Sequence, residues 1–139
     1  MRNHSVMMEL TKIDSKCAPG AIGPYSQGVK CTSSCGETIY LSGMLPVDPS
    51  TGALVGTSAA EQAEQSLSNI AALLSDVGSS INNVVKTTVF LKNIADFAEV
   101  NKVYAKAFEG SKILPARSCF EVASLPKGAL VEIEVIAIK

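Results

Sequence analysis

Apolar positions in this chain recur with two periods, and clusters of turn residues separate the segments that carry each one. A period of two marks an extended strand, whose successive side chains point to opposite faces. It predicts strands at Glu9–Ile13, 28–31, 38–44, 84–92, 117–122 and 129–138. In the third run Ile39, Leu41 and Gly43 point one way, and Thr38, Tyr40 and Ser42 the other. In the fourth, Val85, Thr87, Val89 and Leu91 are expected to share a face. In the last, Val131, Ile133, Val135 and Ala137 form a clean apolar face suited to lying under helices.

Two segments have the helical period instead. Ala63, Leu67, Ile70, Leu74 and Val77 follow a capping box, Ser58-Ala59-Ala60-Glu61, and Gly78 supplies a left-handed stop. A second helix is expected over 96–109, with Asp96 and Glu99 in its first turn. Its apolar arc is Phe97, Val100, Val103, Tyr104, Ala107 and Phe108. Asn101 falls just inside that arc, so its amide needs a partner, either in the structure or on a ligand. The order of elements predicts an α/β (α+β) fold, with one mixed sheet and both helices on one face. The sheet's other, half-apolar face would then need cover, which a second subunit can provide. Residues 9–139 are expected to form a single domain, and 1–8 a flexible tail.

Between the first two strands, residues 19–28 hold two prolines and three glycines, which specify a shaped loop. Tyr25 either packs its ring on the domain edge or presents ring and hydroxyl at a pocket rim. Residues 33–37 read as a hairpin turn and 45–52 as further turn chemistry.

Composition narrows the chemistry. With 139 residues, 47% hydrophobic and 18% charged, the chain is an ordinary globular sequence somewhat poor in charge. A net charge of −1 and a pI near 5.8 argue against nucleic acid as the main partner. Residues 1–8 contain no apolar leader core and no later run approaches a membrane span, so a cytoplasmic protein with free thiols is expected. Cys31 and Cys35 are four apart, but no second cysteine pair follows and the single histidine is His4. No metal is therefore expected, and neither is a Ser-His-Asp or Cys-His arrangement. Carboxylates, backbone groups, hydroxyls and arginine remain. Of two arginines, Arg2 lies in the expected tail, which leaves Arg117 as the guanidinium able to grip a carboxylate or phosphate by a planar fork.

Arg117 belongs to the C-terminal stretch, which reads as two strands joined by the Pro/Gly turn near Pro126 and Gly128. Arg117, Cys119 and Glu121 project together from the first strand, and Glu132 and Glu134 together from the second. The arginine and the two glutamates are expected on adjacent strands, on the same side of the sheet. An exposed cross-strand ion pair, of small energetic value, is one reading and a ligand site is the other.

Several spaced motifs then make the chain resemble the reactive-intermediate deaminase family (RidA/YjgF-like). They are Ala21-Ile22-Gly23-Pro24-Tyr25-Ser26-Gln27-Gly28, Leu41-Ser42-Gly43 with Pro46-Val47-Asp48-Pro49, Val85-Lys86-Thr87-Thr88-Val89-Phe90, Val100-Asn101-Lys102-Val103-Tyr104, and Pro115-Ala116-Arg117-Ser118-Cys119 through Glu132-Ile133-Glu134. The resemblance implies a chorismate-mutase-like fold, a homotrimer with active sites between subunits, and no cofactor. It implies hydrolysis of 2-aminoacrylate and 2-iminobutanoate to 2-keto acids and ammonia, with Arg117 binding the carboxylate and Glu132 orienting the water. Cys119 would meet the substrate through its backbone, Tyr25, Ser42, Gly43 and Asn101 would line the pocket, and Glu134 has no assigned part. Met44 departs from the glutamine common among relatives at that position. Rival readings are a ribonuclease or translation inhibitor, and a non-catalytic trimer that binds small acids or client proteins. A mitochondrial pool is compatible with the same residues.

Overall fold

The computed structural model describes residues 8–139; the expected tail, apart from exposed Met8, lies outside the described residues. Six strands form one sheet: β1 Glu9–Ile13, β2 Gly28–Ser33, β3 Gly36–Leu41, β4 Val84–Leu91, β5 Ala116–Glu121 and β6 Val131–Ile138. Their order is β1-β2-β3-β6-β4-β5. Every pairing is antiparallel except that of β4 with β5, which makes the sheet mixed. Two helices, α1 Ala59–Asp76 and α2 Phe97–Ala107, cover one face.

The helices begin and end where their terminal groups find partners. Ser58 caps α1 by accepting from the Glu61 amide at 3.2 Å, and its hydroxyl donates to the Glu61 carboxylate at 3.0 Å. Gly78, at φ 81°, takes the left-handed turn that ends the helix. The second helix starts through a short 3-10 turn, Ile94–Asp96, capped by Asn93, so Asp96 provides no side-chain cap of its own. Between sheet and helices lie Ile39, Ile70, Leu73, Leu74, Phe108, Val131, Ile133 and Val135, all buried. Two polar side chains of α1 are buried as well and fasten loops: Asn69 donates to the Val47 carbonyl at 2.8 Å, and Gln62 accepts from the Leu130 amide at 2.7 Å.

Three expectations about strands are corrected. Val85 does not share a face with Thr87 and Val89. A bulge between Val84 and Lys86 inserts one residue, so Val84 takes the buried position and Val85 is exposed. The last two strands are not adjacent, because β4 lies between them: parallel to β5, antiparallel to β6. Nor do Arg117 and the glutamates share a side. Thr87, a core residue, pairs with both Arg117 and Val135, whereas Phe90 pairs with both Phe120 and Glu132. Paired residues project to the same face, so Arg117 is on the helix face and Glu132 and Glu134 are on the other.

That other face carries no helix and is half-apolar. Leu10, Tyr40, Phe120 and Ile138 are all exposed there, and Phe90 and Phe120 meet edge to face at 5.4 Å between ring centroids.

Candidate active site

Arg117 sits on the edge strand β5 and reaches across to α2. Its Nη1 donates to the Asn101 side-chain oxygen at 2.7 Å. The guanidinium carbon lies 4.6 Å from the Tyr104 ring centroid and 5.4 Å from that of Phe97, within cation–π range. Phe97, Asn101 and Tyr104 are spaced i, i+4, i+7, which puts them on one stripe of α2 facing the edge strand. Among the described residues no carboxylate pairs with Arg117; the two ion pairs present are Lys30–Glu37 and Lys139–Glu37. A guanidinium has five N–H groups, so most remain available to an anion.

Cys119, two residues on, projects to the same side as Arg117, half-buried, with its thiol pKa pushed up by burial against a smaller opposing pull from Arg117. The thiol stays protonated, which leaves its backbone as the more useful polar feature. β5 is an edge strand, so backbone groups on its outer side have no ladder partner among the described residues. Glu121, which follows on that side, accepts from the Ile94 amide at 3.0 Å and ties the strand to the start of α2.

Glu132 belongs to a second cluster. Its carboxylate lies over Gly43, where an added Cβ would stand 2.9 Å from the carboxyl carbon. Only a residue without a side chain leaves that position free. Glu132 is half-buried, and burial followed by the like charge of Glu134 raises its pKa above the usual carboxylate range. Ser42, beside Gly43, donates its hydroxyl to the Ser26 carbonyl at 2.6 Å, which ties the end of β3 to the loop bearing Tyr25. In that loop the Ile22 amide donates to the Tyr25 hydroxyl at 3.3 Å. Buried Gln27 holds the loop's base, accepting from the Ser15 amide at 2.6 Å and donating to the Pro19 carbonyl at 2.8 Å. Tyr25, Ser42, Gly43, Met44 and Leu45 line one cleft, and Met44 is buried there, its backbone bridged to Ile133.

The residues singled out from sequence thus fall into two half-sites in one chain. Arg117, Asn101 and Cys119 form the first, and Glu132, Gly43, Ser42 and Tyr25 the second. Sequence reasoning missed Phe97 and Tyr104 as neighbours of the arginine, since their spacing announced only a core-facing arc. Nothing in that spacing tells which strand the end of the arc overhangs.

A small mixed-sheet domain with an unpaired guanidinium at its edge and a half-buried carboxylate on its uncovered face defines a class that others share. The model of the family described as Endoribonuclease L-PSP matches residues 15–139. The mouse 2-iminobutanoate/2-iminopropanoate deaminase is 48% identical over 127 residues, covering 91% of this chain and 90% of that one. A RutC family protein of Sinorhizobium fredii is 48% identical over 124 residues, 89% and 94% of the two chains. Among solved structures, a Rid family protein from Yersinia pestis aligns at TM-score 0.86 with 47% identity, covering 94% of this chain and all of the other. E. coli TdcF with bound serine aligns at 0.83 with 39% identity, over 93% and 98%. This chain belongs to the RidA/YjgF family.

Proposed function

We propose that the protein hydrolyses small 2-imino acids, such as 2-iminobutanoate and the imine of 2-aminoacrylate, to 2-keto acids and ammonia. The observation that carries this reading is the Arg117 guanidinium, held by α2 yet free of any carboxylate partner among the described residues. A planar fork with free N–H groups suits a small carboxylate, which it fixes in both position and plane. The deaminase relatives and the serine bound to E. coli TdcF support a ligand of this size and charge.

The site is completed between copies. Arg117 and Glu132 are on opposite faces of one sheet, so a single chain cannot bring both to one small molecule. A second copy laid against the helix-free face sets its arginine edge beside the first copy's Glu132, and three copies close the ring. Burial of the exposed Tyr40, Phe120 and Ile138 favours that assembly.

The reaction then needs few parts. Arg117 takes the carboxylate, and Asn101 holds one of its N–H groups out of play. Tyr25, whose oxygen accepts from the Ile22 amide, keeps its own O–H to donate to the substrate. Glu132 accepts a proton from water as the oxygen bonds to the protonated imine carbon, C2. Glu132 then gives that proton to the amino nitrogen of the resulting amino alcohol. The C–N bond breaks as the hydroxyl loses its proton back to the Glu132 carboxylate and becomes the keto oxygen, and ammonia and the 2-keto acid leave. A carboxylate whose pKa is raised toward the working pH is the better proton acceptor, which general acid–base help converts to roughly 10²–10⁴ in rate. No metal or organic cofactor enters these steps.

The test is a coupled assay in which a threonine dehydratase supplies the imine. The protein should accelerate 2-oxobutanoate formation, and Arg117→Ala should remove the gain without unfolding the chain. Full activity in Arg117→Ala overturns the reading.

The description of the matching family favours a second reading, an endoribonuclease. That activity needs a phosphate-binding surface, and the chain carries a net charge of −1. Cleavage of labelled RNA that is lost in Arg117→Ala would support it. A third, a non-catalytic binder of small acids, predicts 2-oxobutanoate binding with no acceleration.

A further inference from the structure

We propose that Tyr104, anchored by Thr87, is a positioning residue that fixes the plane of the Arg117 guanidinium; its value for turnover rests on the reading of Arg117 given above. Three contacts close a triangle. Thr87 is the ladder partner of Arg117, one strand in from the edge. Its Oγ1 is 2.8 Å from the Tyr104 hydroxyl, and Thr87 is fully buried. The Tyr104 ring in turn carries the guanidinium carbon 4.6 Å from its centroid. Phe108, fully buried, steadies the ring further at 4.6 Å between centroids. Ring and strand are therefore locked together by a buried hydrogen bond.

The chemistry of Tyr104 fits this part. Burial raises its pKa, ahead of the opposing effects of the Thr87 hydrogen bond and of Arg117, so the phenol stays neutral and serves as a face and a tether. Asn101 fixes one nitrogen of the fork, but a single hydrogen bond leaves the guanidinium free to swing about it. The ring face removes that freedom. An arginine ordered before substrate arrives spares the ordering of one flexible side chain on binding, roughly two- to tenfold in affinity.

The test compares Thr87→Val, Tyr104→Phe and Thr87→Ser in the full chain, with 2-oxobutanoate as the binding probe and the coupled assay for turnover. Thr87→Val and Tyr104→Phe each break the tether and should raise Kd and KM two- to tenfold, with kcat changed less than twofold. Their double variant should be no worse than either alone, and Thr87→Ser, which keeps the hydroxyl, should stay within twofold of the parent. In an Arg117→Ala background Thr87→Val should weaken binding no further. Independently of any ligand, NMR of the Arg117 side chain should show guanidinium rotation faster in Thr87→Val and Tyr104→Phe. Unchanged rotation with unchanged Kd overturns the proposal, as does a loss of affinity that persists without Arg117. Should Arg117→Ala keep full turnover while rotation still responds to Thr87→Val, the functional reading falls and the positioning of Arg117 stands.

Discussion

Arg117 and Glu132 stand on opposite faces of one sheet, three rungs apart along the ladders of β4: Arg117 opposite Thr87, Glu132 opposite Phe90. An ion pair between them within one chain is thereby ruled out, and so is a site that uses both in one chain. The same relationship gives each group a reason to be where it is. The arginine is held by a helix, and the carboxylate is half-buried on the face that carries no helix.

That face sets the first expectation. Phe120 lies on it at the edge strand, 45% exposed and touching Phe90. Phe120→Lys puts a charge into the contact proposed between copies while leaving the core beneath the helices untouched. Sedimentation should show a monomer with unchanged far-ultraviolet circular dichroism and no imine hydrolysis; a stable oligomer with full activity contradicts the account.

The pH profile follows from Glu132. Its pKa is raised by burial and, to a smaller extent, by Glu134. In the proposed reaction Glu132 must be ionised to take a proton from water, so activity should be lost as pH falls through a value above the ~4.3 of an ordinary glutamate. Glu134→Gln removes the like charge and should move that acid limb of kcat/KM to lower pH, leaving the part due to burial. A limb that stays put in Glu134→Gln, or moves upward, counts against the assignment.

Gly43 has a steric part. A methyl group at that position meets the Glu132 carboxylate, a flexible group that can be pushed aside without disturbing the fold. Gly43→Ala should therefore leave the thermal midpoint nearly unchanged and lower kcat by about 10², the scale of misplaced acid–base help. Equal loss in stability and activity would show a folding defect instead.

Core packing is testable apart from function. Phe108 is fully buried at the end of α2, against Tyr104 and the sheet. Phe108→Ala should cost about 3–5 kcal/mol in urea unfolding, the range for large-to-small aromatic changes. Its effect on KM should exceed that of an equally destabilising change remote from Tyr104, since the ring it supports also bears on Arg117.

Most of the fold and the members of each half of the candidate site were legible in the sequence, because local patterns carry local information. Ser58, Glu61 and Gly78 mark α1 by chemistry that acts within one turn, and alternation in β6 names its buried face directly. What escaped depends on partners distant in sequence. The bulge at Val84 shifts one residue, and period-two reading cannot see an insertion, so alternation places Val85 on the wrong face. The placement of β4 between β5 and β6 is a fact of topology, and without it Arg117 and Glu132 look like neighbours. Asn101 was legible as an amide in need of a partner, though not that its partner would be Arg117. Gln62 and Asn69 interrupt the apolar stripe of α1 for the same reason, each held for a loop more than twenty residues away or further along the chain.

The proposal that the site is shared between copies is tested most directly by complementation. Arg117→Ala and Glu132→Ala are each expected to be inactive alone, since each lacks one group in every cleft. Unfolded together in equal amounts and refolded, they should regain about a quarter of wild-type activity, because a random cyclic assembly pairs an intact arginine edge with an intact Glu132 face at one contact in four. A mixture that stays as inactive as its components, while mixed assemblies are shown to form, contradicts the account.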